Sequence, residues 1–252
     1  MKLLKSCIFI TVLSSVFATA DAAEPDWGDF AQLLNRHVSY DSPFGIELAQ
    51  VDYPRIKTDP LYNKVITLIA DYPVSRLSSR EERLSFYINA YNILAIKMVI
   101  DHWPINSIKD AGGFFTSVWK MPVGVIDGKT VTLDEIEHKI LRPMGEPRIH
   151  MAIVCASVSC PDLRPEPYTA DQLHAQLDDQ IQRFLNNQGK GLRIEAGVIM
   201  VSKIFDWFEE DFSQYGNVAG FIRRYRSDLP AKLSIKPDID YNWSLNYTGN
   251  KL

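Results

Sequence analysis

Apolar and polar positions along this chain repeat with two periods, one near 3.6 and one near 2, and each change of period marks an element. From Ser79, the stretch SREERLSFYINAYNILAIKMVIDHW carries Leu84, Phe86, Tyr87, Ile88, Tyr91, Ile93, Leu94, Ile96, Met98 and Val99. Apolar side chains therefore cover nearly every face of a helix, and such a helix is expected at the buried centre of a fold. Ser79 as N-cap, Glu81 and Glu82 in the first turn and Pro104 beyond the end set its expected limits. WKMPVGVIDGKTVTL predicts a hairpin turned on Asp127-Gly128, LDEIEHKILRP a short helix ended by Pro143, and RIHMAIVCA a buried strand. In YTADQLHAQLDDQIQRFLNN, the spacing of Leu173, Leu177, Ile181, Phe184 and Leu185 predicts a helix, with Thr169 and Gln172 as a capping box. GLRIEAGVIMVS predicts a second hairpin turned near Ala196-Gly197, before an aromatic-rich helix KIFDWFEEDF and a last helix around VAGFIRRYR. Long helices together with antiparallel hairpins predict a compact α+β fold, its buried central helix packed on an antiparallel sheet.

The first residues depart from this pattern. MKLLKSCIFITVLSSVFATADAAEPDW has Lys2 and Lys5, an apolar run from Cys7 to Phe17, then small residues, which reads as a secretory signal peptide cut after Ala20 or Ala22. The run is shorter than the roughly 20 residues of a membrane-spanning helix, and Cys7 stands ahead of it rather than at its end, where a lipid-accepting cysteine would sit. An exported chain, periplasmic or extracellular, is expected, with residues 1–22 as signal and 23–252 as one domain without an integral membrane segment. Hydrophobic residues make up 46% of the sequence, enough for one substantial core, and the net charge of -4 comes without a basic stripe. That balance gives no support for nucleic-acid or anionic-membrane binding.

Chemistry gathers in two places. In the central helix Ser85, Asn89 and Asn92 form one polar stripe. A buried amide without partners costs about 1 to 3 kcal/mol, so the stripe either clamps loop backbone or faces a cleft. The second place is IHMAIVCASVSCPDLRPE, where His150, Cys155 and Cys160 lie close together. As a strand, period two would put Cys155 on the opposite face from His150, so contact between them requires the strand to end or bulge first. A thiol at such an end beside an imidazole is an activated nucleophile. The competing readings are a Cys155–Cys160 disulfide, as an oxidising compartment allows, and small core residues. A zinc site lacks a fourth ligand and the usual spacing. An imidazole base also needs an orienting acceptor; Glu137, on the face of its helix shared with Ile140 and Leu141, is the candidate, with an ion pair to Arg142 or Arg164 as its structural alternative. Trp119, Trp207 and Trp243 read as core or as pocket wall.

The motifs FYINAYNIL, VTLDEIEHKILRP, RIHMAIVCASVSCPDLRPEPYTADQLHAQLDDQIQRFLN, SKIFDWFEEDF and DYNWSLN, in this order, resemble the domain-of-unknown-function family 547 over about residues 80 to 250. The resemblance implies a fold related to papain-like cysteine proteinases and a Cys-His-Glu site for peptide or γ-glutamyl amide hydrolysis. Matched by motif, these are Cys155, His150 and Glu137, with Asn89 and Asn92 beside the cleft. The mechanism expected on these residues is attack by the Cys155 thiolate, with His150 as base oriented by Glu137, and the backbone of Ala156 and Ser157, together with Asn89, holding the oxyanion. His138 is the rival base. No cofactor is required, and the expected partner is a small peptide or amide substrate. The alternative is a non-catalytic envelope-binding or scaffold protein of the same fold, with Cys155 and Cys160 oxidised.

Overall fold

A computed structural model describes residues 24–42, 46–113 and 116–249; the signal-peptide reading lies outside the described residues. In chain order the elements are α1 (Gly28–His37), β1 (Val38–Asp41), β2 (Leu48–Val51), α2 (Tyr53–Thr58), α3 (Pro60–Asp71), α4 (Arg80–Asp101), β3 (Pro122–Ile126), β4 (Lys129–Thr132), α5 (Leu173–Asn186), β5 (Leu192–Glu195), β6 (Val198–Ser202), α6 (Ile204–Trp207), α7 (Val218–Tyr225) and β7 (Ile235–Ile239). A π-helical turn at Glu135–Leu141 and 3-10 turns at Pro147–Met151 and Glu209–Tyr215 complete the part that matters for the site. Helices and small sheets together make the expected α+β fold.

The central helix forms as the sequence predicts. The Ser79 hydroxyl accepts from the Glu82 N–H at 3.0 Å and the Glu82 carboxylate accepts from the Ser79 N–H at 2.9 Å, a complete capping box. From Leu84 to Ile100 nearly every side chain of α4 is buried. Its closest sheet neighbour is β3, and Gly124 permits the approach: a Cβ there would stand 2.4 Å from Leu94 Cδ2. Both predicted hairpins form, β3–β4 and β5–β6, with positive φ at Asp127-Gly128 and at Ala196-Gly197. Two pairings were not legible: β1 pairs antiparallel with β2, and β7 adds parallel to β6. One apolar core surrounds α4; a second joins α5, β6 and α7 through Phe184, Phe205, Phe212 and Phe221.

Two local expectations fail. RIHMAIVCA is not a strand: Pro147–Met151 is a 3-10 turn capped by Glu146, whose carboxylate accepts from the Arg148 N–H and pairs with its guanidinium. Pro147 lacks an N–H, and the bonds a neighbouring strand would supply come instead from Asn92, which donates to the Ala152 carbonyl at 3.0 Å and accepts from the Val154 N–H at 2.8 Å. Nor does Thr169 cap α5, which begins at Leu173. Its backbone N–H is taken by the Gln176 side chain, and its hydroxyl turns to Asp171.

Candidate functional site

Immediately after Cys155 the chain turns sharply, with Ala156 in the left-handed region at φ 58°. For a residue with a Cβ this costs of the order of 1 kcal/mol and persists only where the surroundings hold it. Residues 242–246 do so: Asn246 N–H donates to the Ala156 carbonyl at 3.1 Å, Val158 N–H to Ser244 at 2.9 Å and Ser159 N–H to Asn242 at 3.2 Å. Asn246 is itself fixed by Tyr53 and by the Ala49 carbonyl. The closing DYNWSLN segment is thus the clamp that shapes the cysteine loop.

On this turn the Cys155 sulfur lies 3.1 Å from both the Ser157 hydroxyl and the Tyr241 hydroxyl. Burial alone would raise its pKa, but hydrogen bonds from Cys160, the Ser157 hydroxyl, Tyr241 and the Ser157 N–H outweigh burial and hold the thiol below its ordinary value. Cys160 is driven the other way, by burial and by the neighbouring sulfur, and stays protonated. Both cysteines are free thiols, and the Cys160 sulfur accepts the Cys155 N–H at 2.8 Å, so the disulfide alternative is not formed here.

The sulfur opens into a cavity of about 170 Å³ whose wall includes Tyr91, Glu137, His138, His150, Trp119, Trp207, Phe208, Tyr241 and Trp243. Trp207 and Trp243 stack at 5.7 Å, and Tyr241 packs on both, so one side of the cavity is an aromatic slab. Trp207 remains 46% exposed. A volume of this size accepts the reacting end of a ligand rather than a whole drug-sized molecule.

His150 lies flat on Phe208 at 4.0 Å, and its Nε2 is 2.7 Å from an Asp211 carboxylate oxygen. Arg142 holds the same carboxylate through both oxygens, at 2.7 and 2.8 Å. Burial works to raise the Asp211 pKa, but His150 and Arg142 overcome it and hold the carboxyl well below the usual range. Burial likewise lowers the His150 pKa more than Asp211 raises it, which favours the neutral ring. A carboxylate only accepts, so Nε2 carries the hydrogen and Nδ1 is the basic nitrogen.

This corrects the expected triad. Asp211, not Glu137, orients His150. Glu137 contacts Tyr91 at 3.4 Å and is pushed up to about 7, first by burial and then by the Cys155 charge, against the pull of Arg142. No hydrogen bond joins His150 to Cys155 or to Glu137 among the described residues. His138 shares the cavity, but its Nδ1 accepts from Arg142 at 3.0 Å. The asparagines are corrected too. Both atoms of the Asn89 amide are paired with the Tyr168 backbone, at 2.8 and 2.9 Å, as those of Asn92 are with Ala152 and Val154. The polar stripe is a structural clamp and supplies no oxyanion donor. Ser85 belongs to it as well, bonding Glu24. The Ser157 N–H faces the sulfur, whereas Ala156 contributes the bend.

Residues 74–185 match the family model of the protein of unknown function DUF547. No curated protein and no solved structure matches the chain. The DUF547 segment is shorter than the 80-to-250 resemblance read from motifs. It contains Glu137, His138, His150, Cys155 and Cys160, yet stops before Trp207, Asp211, Tyr241 and Trp243. The matched segment therefore carries the thiol and imidazole, and the chain beyond it supplies the imidazole's acceptor, a donor to the sulfur and most of the aromatic wall. Among the described residues no group of three or more His, Cys, Asp or Glu side chains is arranged to hold a metal, and no helix is long and apolar enough to cross a membrane. Asp211 escaped sequence reading because SKIFDWFEEDF offers four acidic candidates on one short segment, Asp206, Glu209, Glu210 and Asp211, and no spacing that links any of them to His150.

Proposed function

We propose that the protein is an exported cysteine-dependent hydrolase that cleaves peptide or γ-glutamyl-type amide bonds in small peptides. The observation that carries this reading is the Cys155 thiol on a strained, clamped turn, facing an aromatic cavity and surrounded by donors that favour its ionised form. The kinship to papain-like proteinases belongs to the same proposal.

In this reading Cys155 is the nucleophile and His150 the base, with Asp211 orienting the ring. His150 Nδ1 takes the thiol proton, and the thiolate attacks the amide carbonyl carbon. As the C–N bond breaks, the same proton passes to the leaving nitrogen. Water then adds to the thioester, His150 again accepting the proton, and the C–S bond breaks to release the acid and restore the thiolate. Cys155 and His150 line the same cavity without a hydrogen bond between them, and catalytic hydrogen bonds commonly form or tighten only around substrate, so this reading has the Cys155–His150 contact completed with substrate bound.

The test is release of amine from a panel of dipeptides and γ-glutamyl amides by the mature protein, alongside Cys155→Ser and Asp211→Asn. Turnover by the wild type that Cys155→Ser abolishes and Asp211→Asn lowers by at least about a hundredfold is expected. No turnover across the panel, together with a Cys155 that alkylates only at the pH of an ordinary thiol, would leave the non-catalytic binding or scaffold role as the better reading.

A further inference from the structure

Beside the cysteine cavity stands a positive charge that the hydrolytic steps do not use. Lys109 belongs to a short 3-10 turn, Ile108–Ala111, and its ammonium sits 3.5 Å from the centre of the Trp243 ring, part of the cavity wall. It is exposed, and among the described residues no carboxylate pairs with it. The neighbouring Asp110 is turned back on its own turn, accepting the N–H groups of Asn106 and Ser107 at 3.0 Å. Lys120, next to the wall residue Trp119, also has no carboxylate partner among the described residues.

Of the other charged groups around the cavity, the cation Arg142 is already engaged, while the Asp134 carboxylate on the wall has, among the described residues, only the ring of His138 near it. Arg142 is committed to Asp211 through both oxygens and also donates to His138. Asp134 is near His138 at 3.9 Å, and Glu137, pushed up to about 7, holds its proton for part of the neutral range. An ammonium held over an indole face is fixed in place by the ring quadrupole, yet the ring takes up none of its three N–H donors fully. Burial against the ring lowers the Lys109 pKa, while the Cys155 charge raises it, so the two groups lie within electrostatic reach of each other.

We propose that Lys109, seated on Trp243, binds a free carboxylate of the substrate, so that the cavity favours small amides carrying such a carboxylate over the same amides with it masked. This rests on Cys155 being the reactive thiol. The aromatic slab lies under the apolar part of the ligand, Lys109 fixes its charged end, and the amide carbonyl is left facing the sulfur. The ligand class is a short peptide with a free terminal carboxylate, or an equivalent amide of an amino acid.

The experiment compares iodoacetate with iodoacetamide on the mature protein at low ionic strength. In both, the Cys155 sulfur bonds to the methylene carbon as iodide leaves, and they differ by a carboxylate against a neutral amide. Rates are read by mass at the Cys155 peptide. Any change in the thiolate population acts on both reagents alike and cancels in their ratio. The iodoacetate-to-iodoacetamide ratio is expected to fall about two- to fivefold in Lys109→Gln, to fall further in Lys109→Glu, to recover in Lys109→Arg, and to shrink in the wild type as salt is added. A ratio unchanged across these variants, with Cys155 still reacting at low pH, overturns the role of Lys109 and leaves the nucleophile standing. If Cys155 reacts with neither reagent below the pH of an ordinary thiol, both the carboxylate site and the hydrolase reading fall.

Discussion

Glu137→Gln probes the electrostatics of the cavity most directly. The carboxyl is pushed from 4.5 up to about 7 by burial and by the Cys155 charge. A folded-state pKa above the unfolded one means that the folded chain binds the proton more tightly. Folding is therefore penalised progressively as pH rises from about 4.5 to about 7, and the full penalty persists above that. At 1.36 kcal/mol per pH unit the penalty is about 3 kcal/mol. Glutamine keeps the shape and removes the ionisation, so the variant should match the wild type near pH 4 and exceed it by up to about 3 kcal/mol near pH 8. For a chain of this size that is roughly 6 to 12 °C in Tm. Thermal melts of both proteins across this range measure it. The same substitution removes a like charge from beside the sulfur, so Cys155 should alkylate at a lower pH than in the wild type. A Tm difference that stays constant between pH 4 and pH 8, or a variant less stable at pH 8, would refute the buried and charge-coupled picture of Glu137. Repeating the comparison in a Cys155→Ser background separates the two causes, since the pH dependence that remains is due to burial.

Tyr241→Phe removes one donor to the Cys155 sulfur; such bonds to a charged group are worth about 1.5 to 3 kcal/mol, so the alkylation profile should move up by about one to two pH units. Asp211→Asn loses the carboxylate shared by His150 and Arg142, and the neutral amide leaves Arg142 unpaired; NMR titration of the ring should show the His150 pKa falling further, because the group that raises it is gone. Asn92→Ala leaves the Ala152 carbonyl and the Val154 N–H without their partner, both next to the cysteine turn. Urea unfolding should show a loss of about 2 to 4 kcal/mol, whereas a loss under 1 kcal/mol would mean that water replaces the clamp. Asp162→Asn breaks the pair with Lys190, whose side chain is fully buried and 2.7 Å from the carboxylate, and should destabilise by about 3 to 5 kcal/mol in the same assay.

Periodicity and turn chemistry determined much of this protein by themselves. The all-round apolar pattern placed α4 at the centre, Ser79 and Glu82 set its start, and Asp127-Gly128 and Ala196-Gly197 set the two hairpins. These signals are local: a cap, a two-residue turn or a stripe is completed by residues within a few positions of one another. The spacing of His150 and Cys155 likewise singled out two residues that line one cavity. Only the tertiary structure decided what surrounds them. The strand expected over RIHMAIVCA gave way because an amide from α4, some sixty residues earlier in the chain, supplies the bonds a partner strand would have made. Asp211 reaches His150 across 61 positions and Tyr241 reaches Cys155 across 86. Glu137 had the right chemistry for an orienting acceptor, but tertiary packing gave the His150 ring to a different carboxylate. Side chains that meet through such long loops leave no period in the sequence, because the entropy of closing the loop is overcome by the packing of the whole core rather than by any local preference of the residues that meet.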